Sequence, residues 1–235
     1  MQDLSGAFAE AFRLLLDLDA DLMEIVGLSL RVSLTAVVAA ALIALPLGAA
    51  LAVTRFPGRG AVLVTLNALM GLPPVVVGLV VYLALSRAGP LGPLGLLYTP
   101  EAMILAQMLL VIPIVAAVTR QTVEDLRAEY DEQLRVFGVG PMGMVATLLW
   151  EGRFSLLTAL LAGFGRAVAE VGAVIIVGGN INHVTRVMTT AIALETSKGN
   201  LALALGLGII LLLIAVAVNA AVMTVRRTPR HAVLA

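Results

Sequence analysis

Cysteine is absent from the 235 residues, which removes disulfides, thiol nucleophiles and thiolate metal sites together. Lysine is nearly absent: Lys198 stands alone, in the string SKGN. The pattern GxxxxGK[ST] occurs nowhere, so the chain has no phosphate-cradling loop with which to draw on ATP. Neither H-E-x-x-H nor G-x-S-x-G is present, which speaks against an intramembrane hydrolase. Charge is scarce at 13%, and acids and bases cancel at 15 each, so no global field points to nucleic acid or to an acidic ligand. No basic flank precedes a short apolar core at the N-terminus, so a cleaved secretory signal is not expected. No tandem repeat and no second, soluble domain is visible, and the ten residues from Arg226 are too few to fold alone.

What fills the chain is hydrocarbon. Hydrophobic residues make up 60% and the mean hydropathy is +1.05, well above a soluble domain. Residues 4 to 16 place Leu4, Phe8, Ala11, Phe12, Leu15 and Leu16 at helical spacing, interrupted by Glu10 and Arg13, which predicts an amphipathic interfacial helix. The acidic run Asp17, Asp19, Asp21 and Glu24 keeps the following junction in water. Apolar runs of spanning length follow at Val32–Val53, Ala61–Leu85, Ala102–Thr119, Ser155–Gly178 and Leu201–Val225. Pro73 and Pro74 predict an irregularity in the second. The Gly/Pro-rich stretch 86–100 reads as a compact interfacial loop. The expected architecture is an all-α polytopic membrane protein with about five transmembrane helices, one membrane domain over residues 1–235.

Arg55, Arg59, Arg120, Arg127, Arg135, Arg153, Arg226, Arg227 and Arg230 flank one side, against Arg13, Arg31, Arg87, Arg186 and Lys198 on the other. The richer side is expected in the cytoplasm, giving an external N-terminus, an internal C-terminus and an internal polar island from Arg120 to Arg153. Within that island Asp125–Phe137 predicts a helix ended by Gly138-Val139-Gly140-Pro141, and Met142–Trp150 a second, apolar one. An apolar helix too short to cross and outside the bilayer wants a groove in a partner.

The fourth span carries Arg166 and, four residues on, Glu170, among small residues that allow close helix approach. Either charge alone in hydrocarbon costs about 2.5–3.5 kcal/mol, so they face each other or the bundle interior. Two readings stand: a neutralised pair that fixes register, or a pair that lines a translocation path. The loop Gly179–Asn200 is polar enough to meet a soluble partner, and VMTTAIALETS at 187–197 predicts a re-entrant or interfacial helix. Thr189 and Thr190 are candidate gate-lining groups, or caps of that helix. His183 reads as a solvated loop residue, because no second ligand sits at metal spacing in the sequence.

Residue by residue, Glu132, Gln133, Leu134 and Gly138 fall on the EAA-x3-G core of a loop found in permease subunits of bacterial ABC importers. GLPPVVVGLVVYLALSRAGPLGPLGLLYTPEAMILAQ, AVAEVGAVIIVGGNI and VTRVMTTAIALETSKGNLALALGLGI resemble the tungstate branch of the molybdate and tungstate importer permeases. The resemblance implies the type I importer fold, an N-terminal helix over 1–24 and a cytoplasmic coupling loop over 121–153. It implies a homodimer with two ATPase subunits below and an extracytoplasmic oxyanion-binding protein above. It also implies no cofactor in this chain, with ATP-Mg held by the ATPase, and a cell inner membrane location. Glu132, Arg135, Gly138, Gly140, Pro141 and Met142 are the expected ATPase-coupling residues. One departure is visible: Trp150-Glu151 stands where that family carries Leu-Pro. An ion-gradient-driven secondary transporter is the alternative, and would need an internal repeat. Preference among tungstate, molybdate and sulfate stays open.

Overall fold

A computed structural model describes residues 4–227, all helical or looped among the described residues. Helices are α1 (Leu4–Leu16), α2 (Ala20–Val53), α3 (Arg59–Met70), α4 (Pro74–Leu85), α5 (Pro100–Val136), α6 (Pro141–Glu151), α7 (Arg153–Val168), α8 (Gly172–Gly178), α9 (Met188–Lys198) and α10 (Leu201–Arg227). Without water to satisfy the backbone, internal helical bonding is the economical solution for such apolar runs. Among the described residues three helices are long and apolar enough to cross a membrane: α2, α5 and α10. The count reaches five if the bent pairs α3/α4 and α6/α7 are each one span.

Several boundaries differ from the expected spans. The first begins at Ala20, not Val32, because Asp19 caps it, its carboxylate accepting the Leu22 N–H at 3.0 Å. Charge at Asp21, Glu24 and Arg31 does not oppose a helix; only a backbone breaker would. The third is continuous with the helix expected over Asp125–Phe137, since nothing from Thr119 to Val136 breaks helical bonding. Gly138, at φ +68, ends it: Phe137 N–H bonds Gln133 O at 3.1 Å and Val139 N–H bonds Leu134 O at 3.0 Å, a left-handed glycine cap. The fourth is not one helix, being interrupted between Val168 and Gly172, and α7 is preceded by α6 at a 72° bend.

The described chain forms two compact units. In the first, α1 and α2 to Ala36, Pro73–Gln107 and Gly165–Ala217 come together. Its core holds Leu22, Val32, Ala102, Met103, Ala106, Val174, Val177, Met188, Ala191 and Leu207. Small residues let α4 and α8 approach: a Cβ on Gly78 would lie 2.8 Å from the Ala173 Cα. Ser29 ties α2 to α9, accepting the Met188 N–H at 2.7 Å and donating to Ile25 O at 2.7 Å.

The second unit comprises Val37–Leu72, Met108–Phe164 and the end of α10. Ala49, Ala52 and Val53 of α2, Val123, Leu126 and Leu134 of α5, and Met144 and Leu148 of α6 form one buried cluster. Arginines close the end of α2, whose last carbonyls lack helical partners. Arg127 Nη1 donates to Ala52 O at 3.0 Å and Val53 O at 2.8 Å, and Arg59 Nε to Leu51 O at 2.8 Å. Glu124 takes Arg59 and Arg120 at 2.5 Å each.

Candidate functional site

Within the second unit, α5 and α6 build an arm. Glu132 is exposed near the end of α5 and lines a depression of about 510 Å³ with Arg55, Arg59, Glu124, Arg127 and Asp131. The Arg135 side chain lies outside the described residues. Gly138 and Gly140 turn the chain, the second extended at φ −71 and ψ 169, and Pro141 opens α6 where its missing N–H costs nothing. One face of α6 is spent on Met144 and Leu148 in the core. Its other face leaves Met142 83% and Trp150 67% exposed, with Phe137 beside the turn equally bare. Arg153 stacks over the Trp150 and Phe154 rings at 4.9 Å, where the sequence departs from Leu-Pro.

The first unit contains the interruption between α7 and α8. Arg166 Nη1 and Glu170 Oε2 are 2.5 Å apart; the guanidinium side chain is 37% exposed and the carboxylate 3%. Glu170 Oε1 accepts the Ala173 N–H at 3.1 Å, starting α8. Thr189 Oγ1 donates to Glu170 O at 2.7 Å, and Gln107 Nε2 donates to Ala167 O at 2.9 Å. Thr189 is therefore brought to the pair. Thr190 is not: its hydroxyl sits 2.9 Å from Asn180 Oδ1 and accepts the Val187 N–H at 3.2 Å, stapling the turn into α9.

A family model described as "binding-protein-dependent transport system inner membrane component" matches residues 44–229, which takes in both the arm and the broken span. The chain belongs to this family. The permease is a multi-pass membrane protein, and its helices are those of the type I ABC permease fold. Members work with a binding protein and an ATPase in general. A "probable anion ABC transporter permease protein" of Haloferax volcanii is 42% identical over 214 residues, 88% of this chain and 92% of that one. A "tungstate uptake system permease protein" of Peptoclostridium acidaminophilum is 39% identical over 226 residues, 96% of this chain and 99% of that one. Another so named, from Campylobacter jejuni, is 44% identical over 133 residues, 57% of this chain and 56% of that one.

Two features of the permease escaped the sequence. Gln107 stood as one polar residue in an apolar run, a signal without an address. His183, at φ +58, meets Glu24 at 2.8 Å, and with Asp21 their ligand atoms lie within 4.8 Å of one another. Glu24 is distant in sequence, so spacing alone could not pair them. The hydrogen bond to Glu24, then its charge, hold the His183 imidazole above its ordinary value of 6.5. Nearby, burial pushes the Glu195 carboxyl up. Hydrogen bonds from Lys198 and Asn200, with the charges of Lys198 and Arg186, more than offset this and leave it lowered.

Proposed function

We propose that the permease is the membrane subunit of an ATP-driven importer of tungstate or a closely related oxyanion, delivered by an extracytoplasmic binding protein. The observation that carries this is the arm: a short apolar helix with exposed Met142 and Trp150, held on a charged helix by a glycine turn. A bare apolar helix of that length is stable only against a partner surface. The oxyanion class rests on the end-to-end similarity to the tungstate and anion permeases.

On this reading two permeases pair, and each offers its arm to one of two ATPase subunits that hold ATP-Mg. Glu132, Arg135, Gly138, Gly140, Pro141 and Met142 make that contact. The arginine balance supports an external N-terminus, a cytoplasmic C-terminus and a cytoplasmic segment 121–153 within one membrane domain, with α1 lying in the interface. Arg166, Glu170, Thr189 and Thr190 belong to the passage or to the elements that frame it. Selective capture falls to the binding protein, because a pore must release its ion.

The test is co-purification of the permease with its ATPase before and after Gly138→Asp, with radiolabelled tungstate uptake in parallel. A side chain at φ +68 strains the turn and misdirects α6, so both should fall. Undiminished ATPase binding and uptake in the variant would sink the arm as coupling element.

A further inference from the structure

We infer that Arg166 and Glu170 form a transit site for the oxyanion, in which Arg166 binds the anion weakly and Glu170 is the positioning residue that keeps it weak. This rests on the importer reading above. It starts from an asymmetry within the pair. Glu170 is fixed on every side: one carboxylate oxygen takes the Ala173 N–H, the other takes Arg166, and its backbone carbonyl takes the Thr189 hydroxyl. Arg166 spends one nitrogen on Glu170. Among the described residues nothing engages its remaining N–H donors, and over a third of the side chain is open.

A charged side chain that is over a third exposed in a membrane segment does not turn its head to hydrocarbon, which directs it to water or a passage. Five donors in a planar fork allow one edge to hold a carboxylate while another receives a tetrahedral oxyanion. A buried pair held only for register would turn both charges inward. Here the cation is presented and the anion hidden.

The net charge of the pair then sets the affinity. A lone, partly desolvated arginine would hold a dianion too tightly for passage. A carboxylate hydrogen-bonded to the same guanidinium opposes the anion and lowers its affinity by about tenfold or more at protein-like dielectric. Weak binding is what conduction requires. Gln is nearly isosteric with Glu, and its side-chain oxygen can still accept the Ala173 N–H, so Glu170→Gln removes the charge and keeps the cap.

The experiment measures equilibrium binding of radiolabelled tungstate to the permease–ATPase complex in nanodiscs without binding protein, and ATP-driven uptake of the same label in proteoliposomes with it. Glu170→Gln should bind tungstate about tenfold or more tighter than the wild type while its uptake slows, because release becomes limiting. Arg166→Met should lose binding, and Arg166→Lys should recover part of it. Tungstate binding to Glu170→Gln no tighter than to the wild type overturns the transit site, whatever happens to uptake. Should Glu170→Gln fail to assemble, Arg166→Met in an intact complex decides: uptake equal to that of the wild type overturns the inference. A wild-type complex that takes up neither tungstate, molybdate nor sulfate overturns the importer reading and the transit site with it. Wild-type uptake with unaltered variants overturns the transit site alone.

Discussion

Arg127→Met should destabilise the second unit by about 2–3 kcal/mol, because it removes a charged donor from carbonyls that have no other protein donor among the described residues. Ala52 and Val53 are buried, and their carbonyls end α2, where the intrahelical ladder has run out. A net hydrogen bond to a charged group contributes about 1.5–3 kcal/mol. Both bonds here share Nη1, so they count as little more than one. The Arg127 side chain is only 23% exposed, which limits replacement by water. The 3.4 Å pair with Asp131 adds no more than about 0.5 kcal/mol. Methionine matches the aliphatic stem of arginine in length, so the loss is chiefly polar. Arg153→Met is the control: its bond to Trp150 O and its ring contacts are exposed, and it should cost about 1 kcal/mol at most. Equilibrium unfolding of the purified permease in mixed micelles should separate the two by about fivefold or more in the unfolding constant, and Arg127→Lys should lie between. Equal midpoints for Arg127→Met and Arg153→Met would refute the capping argument.

Gly78→Val should lower stability by about 1–3 kcal/mol, because its Cβ would press on the Ala173 backbone, while Gly27→Ala, with open space around it, should be neutral or slightly stabilising in the same thermal melts. Ser29→Ala strands the Met188 N–H and should cost about 1–3 kcal/mol, with hydrogen exchange speeding up at the start of α9 rather than throughout. His183 is held above its ordinary value by Glu24, with Asp21 adding and Arg186 opposing. Its contribution is therefore complete below about 6.5 and lost as pH rises through the raised value. The melting difference between the wild type and His183→Asn should shrink as pH climbs through that range, and a constant difference would contradict the Glu24 contact.

Most of the helical layout was legible because apolar runs and their breakers are local signals. The interruption at Pro73-Pro74, the amphipathic α1, the Gly138 turn, the separate helix after Pro141 and the helix before Gly199 all follow from residues within one or two turns of the event. Charge bounded the expected spans but not the helices. Asp21, Glu24 and Arg31 lie inside α2, and the third span runs without a break into the helix expected over Asp125–Phe137, because a helix stops where its backbone bonding fails. The pairing of His183 with Glu24, of Ser29 with α9 and of Arg127 with the end of α2 depends on which helices become neighbours. No spacing in the sequence carries that.

The break between α7 and α8 shows why the fourth span could not be read from its own residues. Glycines at 163, 165 and 172 make the segment soft, but softness does not stop a helix in an apolar setting, where every freed N–H or carbonyl is costly. The interruption persists because polar groups answer it locally and from two other elements. Gln107 of α5 supplies a donor to Ala167 O, Glu170 supplies an acceptor to the Ala173 N–H, and Thr189 of α9 supplies a donor to Glu170 O. A continuous helix would satisfy the same backbone groups without help, but it would leave the Gln107 amide, the Thr189 hydroxyl and the Glu170 carboxylate buried with fewer partners. The sequence therefore specifies the break through residues far from it, and the break in turn holds Glu170 in place while leaving the Arg166 side chain partly exposed.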